Sequence, residues 1–198
     1  MIFQRSTNEY YELTDTIETV RLTLRFPVMD DFEQWSALRN QSRAFLVPWE
    51  ASWPSDDLSR SAFAYRLKHY RSNVRKDEAY PLLIFKADDG GELVGGVTVS
   101  NVRRGIAQTG QLGYWIGQPF ANQGYMSEAV RAVGDFCFDQ LGLNRLEAAC
   151  LIQNKPSAIV LEKSGFTREG IARKYLKING VWQDHILFAL LRDDYRSE

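Results

Sequence analysis

The chain has 198 residues, of which 44% are hydrophobic, and a formal net charge of −1. This length and composition suit one hydrophobic core with no boundary for a second domain, and the near-zero charge argues against nonspecific binding to polyanions such as nucleic acids. No apolar run reaches the ~18 residues of a membrane-spanning helix, and no apolar signal-peptide core follows Met1, so a cytoplasmic protein without a membrane segment is expected.

The chain has two cysteines, Cys137 and Cys150, and two histidines, His69 and His185. Two cysteines do not form a disulfide framework, and the four residues lack the spacing of a zinc site. We therefore expect no metal ion.

The first part of the chain predicts one strand followed by two helices. Hydrophobic side chains alternate with polar ones over residues 20–26, the period of a strand with one buried face. Asp30 opens a helix with Phe32, Trp35 and Leu38 near helical spacing. A second helix presents an apolar stripe of Phe63, Leu67, Tyr70 and Val74.

The second part predicts a sheet interrupted by two helices. Strands at 80–85 and 92–99 flank Asp89-Gly90-Gly91, a hairpin turn that permits positive φ, and a strand at 112–116 extends this sheet. A helix follows with Val130, Val133, Cys137 and Leu141 on one face. A strand and a helix lie within residues 143–166, and Asn179-Gly180 joins two final strands. The predicted order is βααβββαβαββ, an α/β chain.

The segment from Gln118 to Val130 reads as a tight turn that opens a helix directly after a strand. The first backbone N–H groups of such a helix have no internal partner and carry partial positive charge, so they can hold a pyrophosphate. Gly124 would allow the ligand to approach closely. The turn alone fits an ordinary helix entry equally well.

A second motif follows about thirty residues later, where Asn154-Lys-Pro-Ser157 leads into Leu161-Glu-Lys-Ser-Gly-Phe166. The glycine turn after a Tyr-Trp-Ile strand, together with this motif, resembles the GCN5-related N-acetyltransferases (GNAT). Residues 44–50, 100–105 and 175–185 further resemble the RimJ-like branch, the ribosomal-protein alanine N-acetyltransferases. The likeness runs from about residue 18 to residue 190.

The resemblance implies a GNAT fold, with a mixed, mostly antiparallel central sheet, as a single domain in which residues 1–17 form an N-terminal extension. It implies that the strand carrying Tyr114, Trp115 and Ile116 bends away from its neighbour. It also implies acetyl-CoA as cosubstrate, with backbone amides of the turn on the pyrophosphate and the exposed strand backbone on the pantetheine arm. Ala121 and Met126 depart from the residues common in the family. The implied cofactor-binding residues are Tyr114, Trp115, Ile116, Ala121, Asn122, Gln123, Gly124, Tyr125, Met126, Ser127, Asn154 and Ser157.

The resemblance also places Ser157 near the sulfur, where its hydroxyl would stabilise or protonate the departing thiolate. The other explanation is a helix-entry serine that bonds to its own backbone. Many relatives use a tyrosine four residues later, but this chain has Leu161 there. Water or the surroundings of the cofactor are the remaining proton sources, because a thiol with a pKa near 8.5 is a tolerable leaving group.

Glu50 is the candidate base, because the resemblance puts acceptor contacts in its loop and a carboxylate would attract an ammonium group. A solvated loop glutamate is the alternative. Asp184 and His185 are runners-up, the latter because imidazoles exchange protons near neutral pH. A covalent route through Cys150 is less favoured than a small buried cysteine on a strand.

The resemblance implies transfer of acetyl to the α-amine of a protein N-terminus, by similarity an alanine of a small-subunit ribosomal protein. Alternatives are a small amine, another protein terminus, or a non-catalytic acetyl-CoA-binding ribosome-assembly factor. Six basic residues lie between Arg60 and Lys76 without an acidic one, so that face either contacts ribosomal RNA or is simply solvated. The residues do not decide between a monomer and a homodimer.

Overall fold

The structure, a computed structural model, describes residues 16–88 and 91–195. Eight strands form one sheet in the order β1-β2-β3-β4-β5-β6-β8-β7. The strands are β1 Thr16–Glu18, β2 Leu22–Arg25, β3 Tyr80–Lys86, β4 Leu93–Arg103, β5 Thr109–Ile116, β6 Arg145–Leu151, β7 Thr167–Ile178 and β8 Val181–Leu191.

The helices are α1 Phe32–Gln41, α2 Arg43–Leu46, α3 Arg60–Arg75, α4 Tyr125–Asp135, α5 Lys155–Lys163 and α6 Arg192–Tyr195. A π-helical turn, Phe136–Gln140, continues α4. The predicted order of elements and the mixed, mostly antiparallel sheet are confirmed, and the short β1, α2 and α6 are additions to it. None of the helices in the described part of the chain is both long and apolar enough to cross a membrane.

The first predicted strand is shorter than expected at its start. Leu22 and Leu24 are completely buried, as the alternation predicts, but Val20 is 95% exposed and precedes β2. The backbone turns at this point, because Thr19 N–H donates to the Leu22 carbonyl at 2.8 Å and the Thr19 hydroxyl accepts from Leu22 N–H at 2.9 Å. The period of two therefore does not extend back to Val20.

Both predicted hairpins are present. β3 and β4 pair antiparallel, although residues 89 and 90 of their predicted turn lie outside the described residues. β7 and β8 pair up to Ile178 and Val181, on either side of a two-residue turn. Asn179 and Gly180 have φ values of +44° and +83°, the left-handed conformation that this turn requires.

The N-terminal extension expected over residues 1–17 lies outside the described residues except for Thr16 and Ile17. These two residues belong to β1, which pairs antiparallel with β2. The rest of that expectation stays a prediction.

The functional part of the fold is the junction of β5 and β6, a parallel pair in a sheet whose other neighbours pair antiparallel. The pairing begins at Thr109 and Arg145 and ends at Leu112 and Ala148, whereas β5 continues to Ile116 and β6 to Leu151. The two strands therefore diverge beyond Leu112, as the family resemblance implies, and open a split in the sheet.

Candidate active site

A cavity of about 500 Å³ lies at this split. Its walls come from β5, β6, the starts of α4 and α5, and the loop after α2. The cavity brings together every residue predicted for the site except Gln123. Those lining it are Glu50, Tyr114, Trp115, Ile116, Ala121, Asn122, Gly124, Tyr125, Met126, Ser127, Asn154 and Ser157.

The turn before α4 has the conformation needed to present backbone amides. Gly124 is the residue before the first turn of α4 and has a φ of +81°, a left-handed value that glycine adopts without strain. The Glu128 N–H donates to the Gly124 carbonyl at 3.1 Å and is the first to find a helical acceptor. The N–H groups just before it have no acceptor within the helix and are suited to an anion.

Arg21 supplies a positive charge at this turn from a distant part of the chain. Its Nη1 donates to the Gln123 carbonyl at 3.1 Å, and its guanidinium lies 4.7 Å from the centre of the Tyr125 ring. Ala121 carries no charge, so Arg21 brings a basic side chain to the turn from another part of the chain. This contact is not predictable from the sequence, because no local pattern joins residues a hundred positions apart.

Glu128 holds Arg21 in place. The carboxylate accepts from Arg21 Nε at 2.7 Å and from the Thr19 hydroxyl at 2.7 Å. Burial acts to raise the pKa of Glu128, but the hydrogen bonds from Thr19 and Arg21 outweigh it and leave the pKa below its ordinary value. The turn and the beginning of β2 are thus joined by a charged contact.

The part of β5 beyond the split has one paired and one open edge. Trp115 and Ile116 pair with Gly96 and Gly95 of β4, whereas in the described part of the chain no strand pairs with the opposite edge past Leu112. A Cβ atom added at Gly96 would lie 2.6 Å from the Trp115 ring nitrogen, so glycine allows this close approach. The open edge offers backbone donors and acceptors to an extended ligand.

Ser157 lies in the first turn of α5, and its hydroxyl bonds to another side chain. Asn154 caps the helix, because its side-chain oxygen accepts from Ser157 N–H at 3.2 Å. The Ser157 Oγ lies 2.9 Å from the Tyr114 hydroxyl oxygen, a contact that the sequence analysis did not predict. Leu161, one turn further on, is 1% exposed and lines the same cavity.

Cys150 is a buried free thiol on the cavity wall. Burial raises the pKa of this thiol above its ordinary value, although a hydrogen bond with Ser157 acts in the opposite direction. A thiol that stays protonated is a poor nucleophile. The environment of Cys150 therefore favours the packing role over a covalent route.

Glu50 lines the cavity with both carboxylate oxygens engaged. Arg39 donates to them at 2.6 and 3.3 Å, and the Trp53 indole N–H donates at 2.7 Å. The Arg39 guanidinium lies 4.3 Å from the centre of the Trp53 ring and 5.0 Å from that of Trp115. Three N–H groups of the fold therefore occupy the two oxygens of this carboxylate. Its role as base stays a prediction.

The two alternative bases have different surroundings. The Asp184 carboxylate accepts from Lys174 N–H at 2.8 Å, within the irregular pairing of β7 between Ala172 and Leu176. His185 is 2% exposed and lines the cavity, with Nδ1 at 3.0 Å from the Gln183 carbonyl oxygen. That contact favours the tautomer with the proton on Nδ1, which leaves Nε2 as an acceptor. Asp184 therefore stabilises the backbone of β7, whereas His185 faces the cavity.

A second cavity of about 310 Å³ adjoins the first. Five residues line both, so the two meet at the split; they are Leu112, Gly113, Ala148, Ala149 and Leu176. Arg145, Glu147 and Glu169 give the second cavity a charged wall. Arg145 donates to Glu169 at 2.5 and 2.8 Å and to Glu147 at 3.1 Å, so one guanidinium binds both carboxylates of this wall.

The predicted basic face lies on α3 and Lys76. Arg60 forms an ion pair with Glu33 at 3.2 Å and Arg66 with Asp57 at 2.7 Å. The remaining basic side chains, Lys68, Arg71, Arg75 and Lys76, are exposed. RNA contact through this face stays a prediction.

Over residues 16–88 and 91–195, no group of three or more His, Cys, Asp or Glu side chains could hold a metal ion.

Residues 21–167 match the family model described as an acetyltransferase (GNAT) domain. The chain is 39% identical to "Probable N-acetyltransferase YjcK" of Bacillus subtilis, over 83% of this chain and 90% of that protein. It is 32% identical to "[Ribosomal protein uS5]-alanine N-acetyltransferase" of Escherichia coli, over 90% of this chain and 92% of that protein.

Among solved structures, the chain is similar to Mycobacterium smegmatis RimJ in complex with CoA-disulfide. The TM-score is 0.85 at 30% sequence identity, with 91% of this chain and 88% of that chain covered. The similarity therefore includes most of the chain.

Proposed function

We propose that this chain, which belongs to the GNAT acetyltransferase family, transfers acetyl from acetyl-CoA directly to the α-amine of a protein N-terminus. The proposed acceptor is the N-terminal alanine of a small-subunit ribosomal protein. Such an acceptor makes the cytoplasm the proposed location. The family and the relatives support this acceptor class, and the site geometry supports direct transfer.

The observation that carries the proposal is the end of the β5–β6 pairing at Leu112 and Ala148. The strand edge opened there leads from the amide-presenting turn at Gly124 to the hydroxyl of Ser157 within one cavity. An acyl thioester on a diphosphate-containing carrier needs this combination, an anion site, an extended hydrogen-bonding edge and a donor near the sulfur.

The residues around the proposed reaction centre have separate tasks. The Gly124 turn and Arg21 hold the pyrophosphate, and the open edge of Tyr114–Ile116 aligns the arm that carries the acetyl group. The acceptor amine attacks the thioester carbonyl, and Ser157 stabilises or protonates the thiolate that leaves. We retain these residue roles as proposals.

Removal of a proton from the amine is an undemanding step. An N-terminal α-amine has a pKa of roughly 8, so about a tenth of it is neutral at pH 7. Glu50, predicted from the sequence as base, lines the cavity but is bonded to Arg39 and Trp53. Water relayed to a cavity acceptor suffices for the remaining proton transfer.

Release of free thiol tests the proposed function. The protein is incubated with acetyl-CoA and a peptide that begins with alanine, and the matched control peptide carries an acetyl group on that alanine. We expect thiol release and a mass increase of one acetyl group on the free peptide alone. A peptide that begins with serine tests the choice of acceptor residue.

Two results would redirect the proposal. Equal turnover of the serine peptide, or turnover of a small amine alone, would contradict the alanine acceptor while leaving acetyl transfer intact. Tight binding of acetyl-CoA with no thiol release from any acceptor would favour a non-catalytic binding protein.

A further inference from the structure

The hydroxyl groups of Tyr114 and Ser157 form a pair on the cavity wall. The Tyr114 oxygen lies 2.9 Å from Ser157 Oγ and 3.1 Å from the Ser157 carbonyl oxygen. Tyr114 belongs to β5 just past the split, and Ser157 belongs to the first turn of α5. The proposed function uses the hydroxyl of Ser157 and assigns nothing to that of Tyr114.

One phenolic proton has two acceptors within reach. When Tyr114 donates to the Ser157 carbonyl, the Ser157 hydroxyl donates back to the Tyr114 oxygen, and its proton is turned toward the wall. When Tyr114 donates to Ser157 Oγ, the Ser157 proton is released from the Tyr114 oxygen and can point toward the Cys150 thiol or into the cavity. The two arrangements differ only by rotation of two O–H bonds.

The second arrangement suits a negative charge in the cavity. A hydroxyl that accepts one hydrogen bond becomes a better donor of its own, because successive hydrogen bonds polarise one another. Burial raises the pKa of Tyr114, so this phenol keeps its proton and remains a donor at every working pH. The Cys150 thiol also hydrogen-bonds with the Ser157 side chain, but sulfur is a weak acceptor and competes little for the Ser157 proton.

We propose that Tyr114 is a positioning residue for acetyl transfer: its hydroxyl shifts from the Ser157 carbonyl to Ser157 Oγ and thereby directs the Ser157 proton at the departing sulfur. This inference rests on the proposed function. The C–S bond breaks with its electron pair on sulfur, and the thiolate accepts the hydrogen bond of Ser157. The sulfur then takes its proton from solvent, so neither Tyr114 nor Ser157 changes its protonation state.

A purely structural role is the competing explanation, because the same hydroxyl joins β5 to the start of α5. The two explanations predict that loss of the Tyr114 hydroxyl changes different quantities. A structural contact stabilises the fold or the binding site, whereas a positioning residue stabilises only the step in which negative charge develops on sulfur.

The test compares Tyr114→Phe, Ser157→Ala and the double variant. We expect Tyr114→Phe to lower kcat by about 2- to 10-fold, the range for one neutral hydrogen bond, with the Kd for coenzyme A unchanged. Because Tyr114 acts through Ser157, the double variant should be no slower than Ser157→Ala alone. The matched control is Tyr195→Phe, which removes a 2.9 Å hydrogen bond from a tyrosine to the Arg131 carbonyl, away from the cavity.

The outcomes are distinguishable. An unchanged kcat in Tyr114→Phe, or losses that multiply in the double variant, would overturn the inference while leaving the proposed function intact. A weaker Kd with unchanged kcat would assign Tyr114 to structure alone and overturn it as well. Failure of the wild-type protein to release thiol with any acceptor would overturn both the proposed function and this inference.

Discussion

Arg39 and Glu50 form a two-point ion pair at one end of the cavity, with nitrogen–oxygen distances of 2.6 and 3.3 Å. The pair joins α1 to the loop after α2, and the side chains are 10% and 25% exposed, respectively. The Asn179 N–H donates to the Glu50 carbonyl at 3.1 Å, which ties the same loop to the β7–β8 turn. Glu50 thus holds three parts of the fold together.

Glu50→Gln should destabilise the protein, because it leaves the Arg39 charge without its partner. We expect the free energy of unfolding to fall by about 1–3 kcal/mol, and Tm to fall by roughly 2–4 °C per kcal/mol in a chain of this size. The matched control is Glu33→Gln, whose ion pair with Arg60 is largely exposed and should contribute under about 1 kcal/mol. Thermal unfolding measures both.

The pH dependence of kcat/KM separates this holding role from a catalytic one. We expect Glu50→Gln to keep the acid limb of the wild-type profile. Loss of that limb with an unchanged Tm would contradict the holding role and establish Glu50 as the base that the sequence predicts.

Gly124→Ala should weaken coenzyme A binding. An added Cβ would strain the left-handed backbone by roughly 1–2 kcal/mol and would lie 3.4 Å from Arg21 Nη2, beside the predicted pyrophosphate site. We expect Kd to rise by about tenfold, equivalent to 1.4 kcal/mol. Gly105→Ala is the control, because Gly105 also has a positive φ but no atom within 4 Å of its added Cβ. If Gly124→Ala bound coenzyme A like the wild type, the turn would not hold the ligand.

Ser157→Ala should slow turnover more than it weakens binding. Loss of one hydrogen bond to a developing charge predicts a decrease in kcat of about 10- to 100-fold, with little change in the Kd for coenzyme A. Ser164→Ala is the control, because that buried hydroxyl donates to the Val160 carbonyl at 2.8 Å and should affect stability alone. Steady-state kinetics with an alanine peptide give the comparison, and an unchanged kcat would remove Ser157 from the mechanism.

Glu128 should make part of the stability dependent on acid pH. Its pKa is lower in the folded than in the unfolded state, so its contribution is present above the unfolded value of about 4.3 and is lost as the pH falls through the folded value. Glu128→Gln should therefore flatten the decline of Tm below about pH 4.3. An exposed carboxylate, Glu162, provides the control substitution. Parallel Tm curves for wild type and Glu128→Gln would contradict this coupling.

The order of the elements was predictable because it rests on local patterns. The apolar stripe of α3 and the Asn179-Gly180 turn are properties of a few neighbouring residues, and both are present. The divergence of β5 from β6 followed from the family resemblance, and the register confirms it. The predicted start of the first strand at Val20 was wrong, because a turn at Thr19 interrupts the alternation. Hydrophobicity alone does not reveal that turn.

The contacts that define the candidate site were harder to predict from the sequence. Tyr114 and Ser157 are 43 positions apart and Arg21 and Gln123 are 102 apart, so each pair meets only through the packing of the sheet and helices. Even Arg39 and Glu50, 11 positions apart, meet because the chain reverses after α2. The sequence therefore predicted some of the residues that line the cavity but not which of them bind one another.

Calorimetric titration of the protein with coenzyme A shows whether the Gly124 turn and the open edge of β5 hold an acyl carrier. We expect saturable binding of one coenzyme A per chain, displaced by acetyl-CoA. Heats no larger than those of dilution, from a protein shown to be folded, would contradict it.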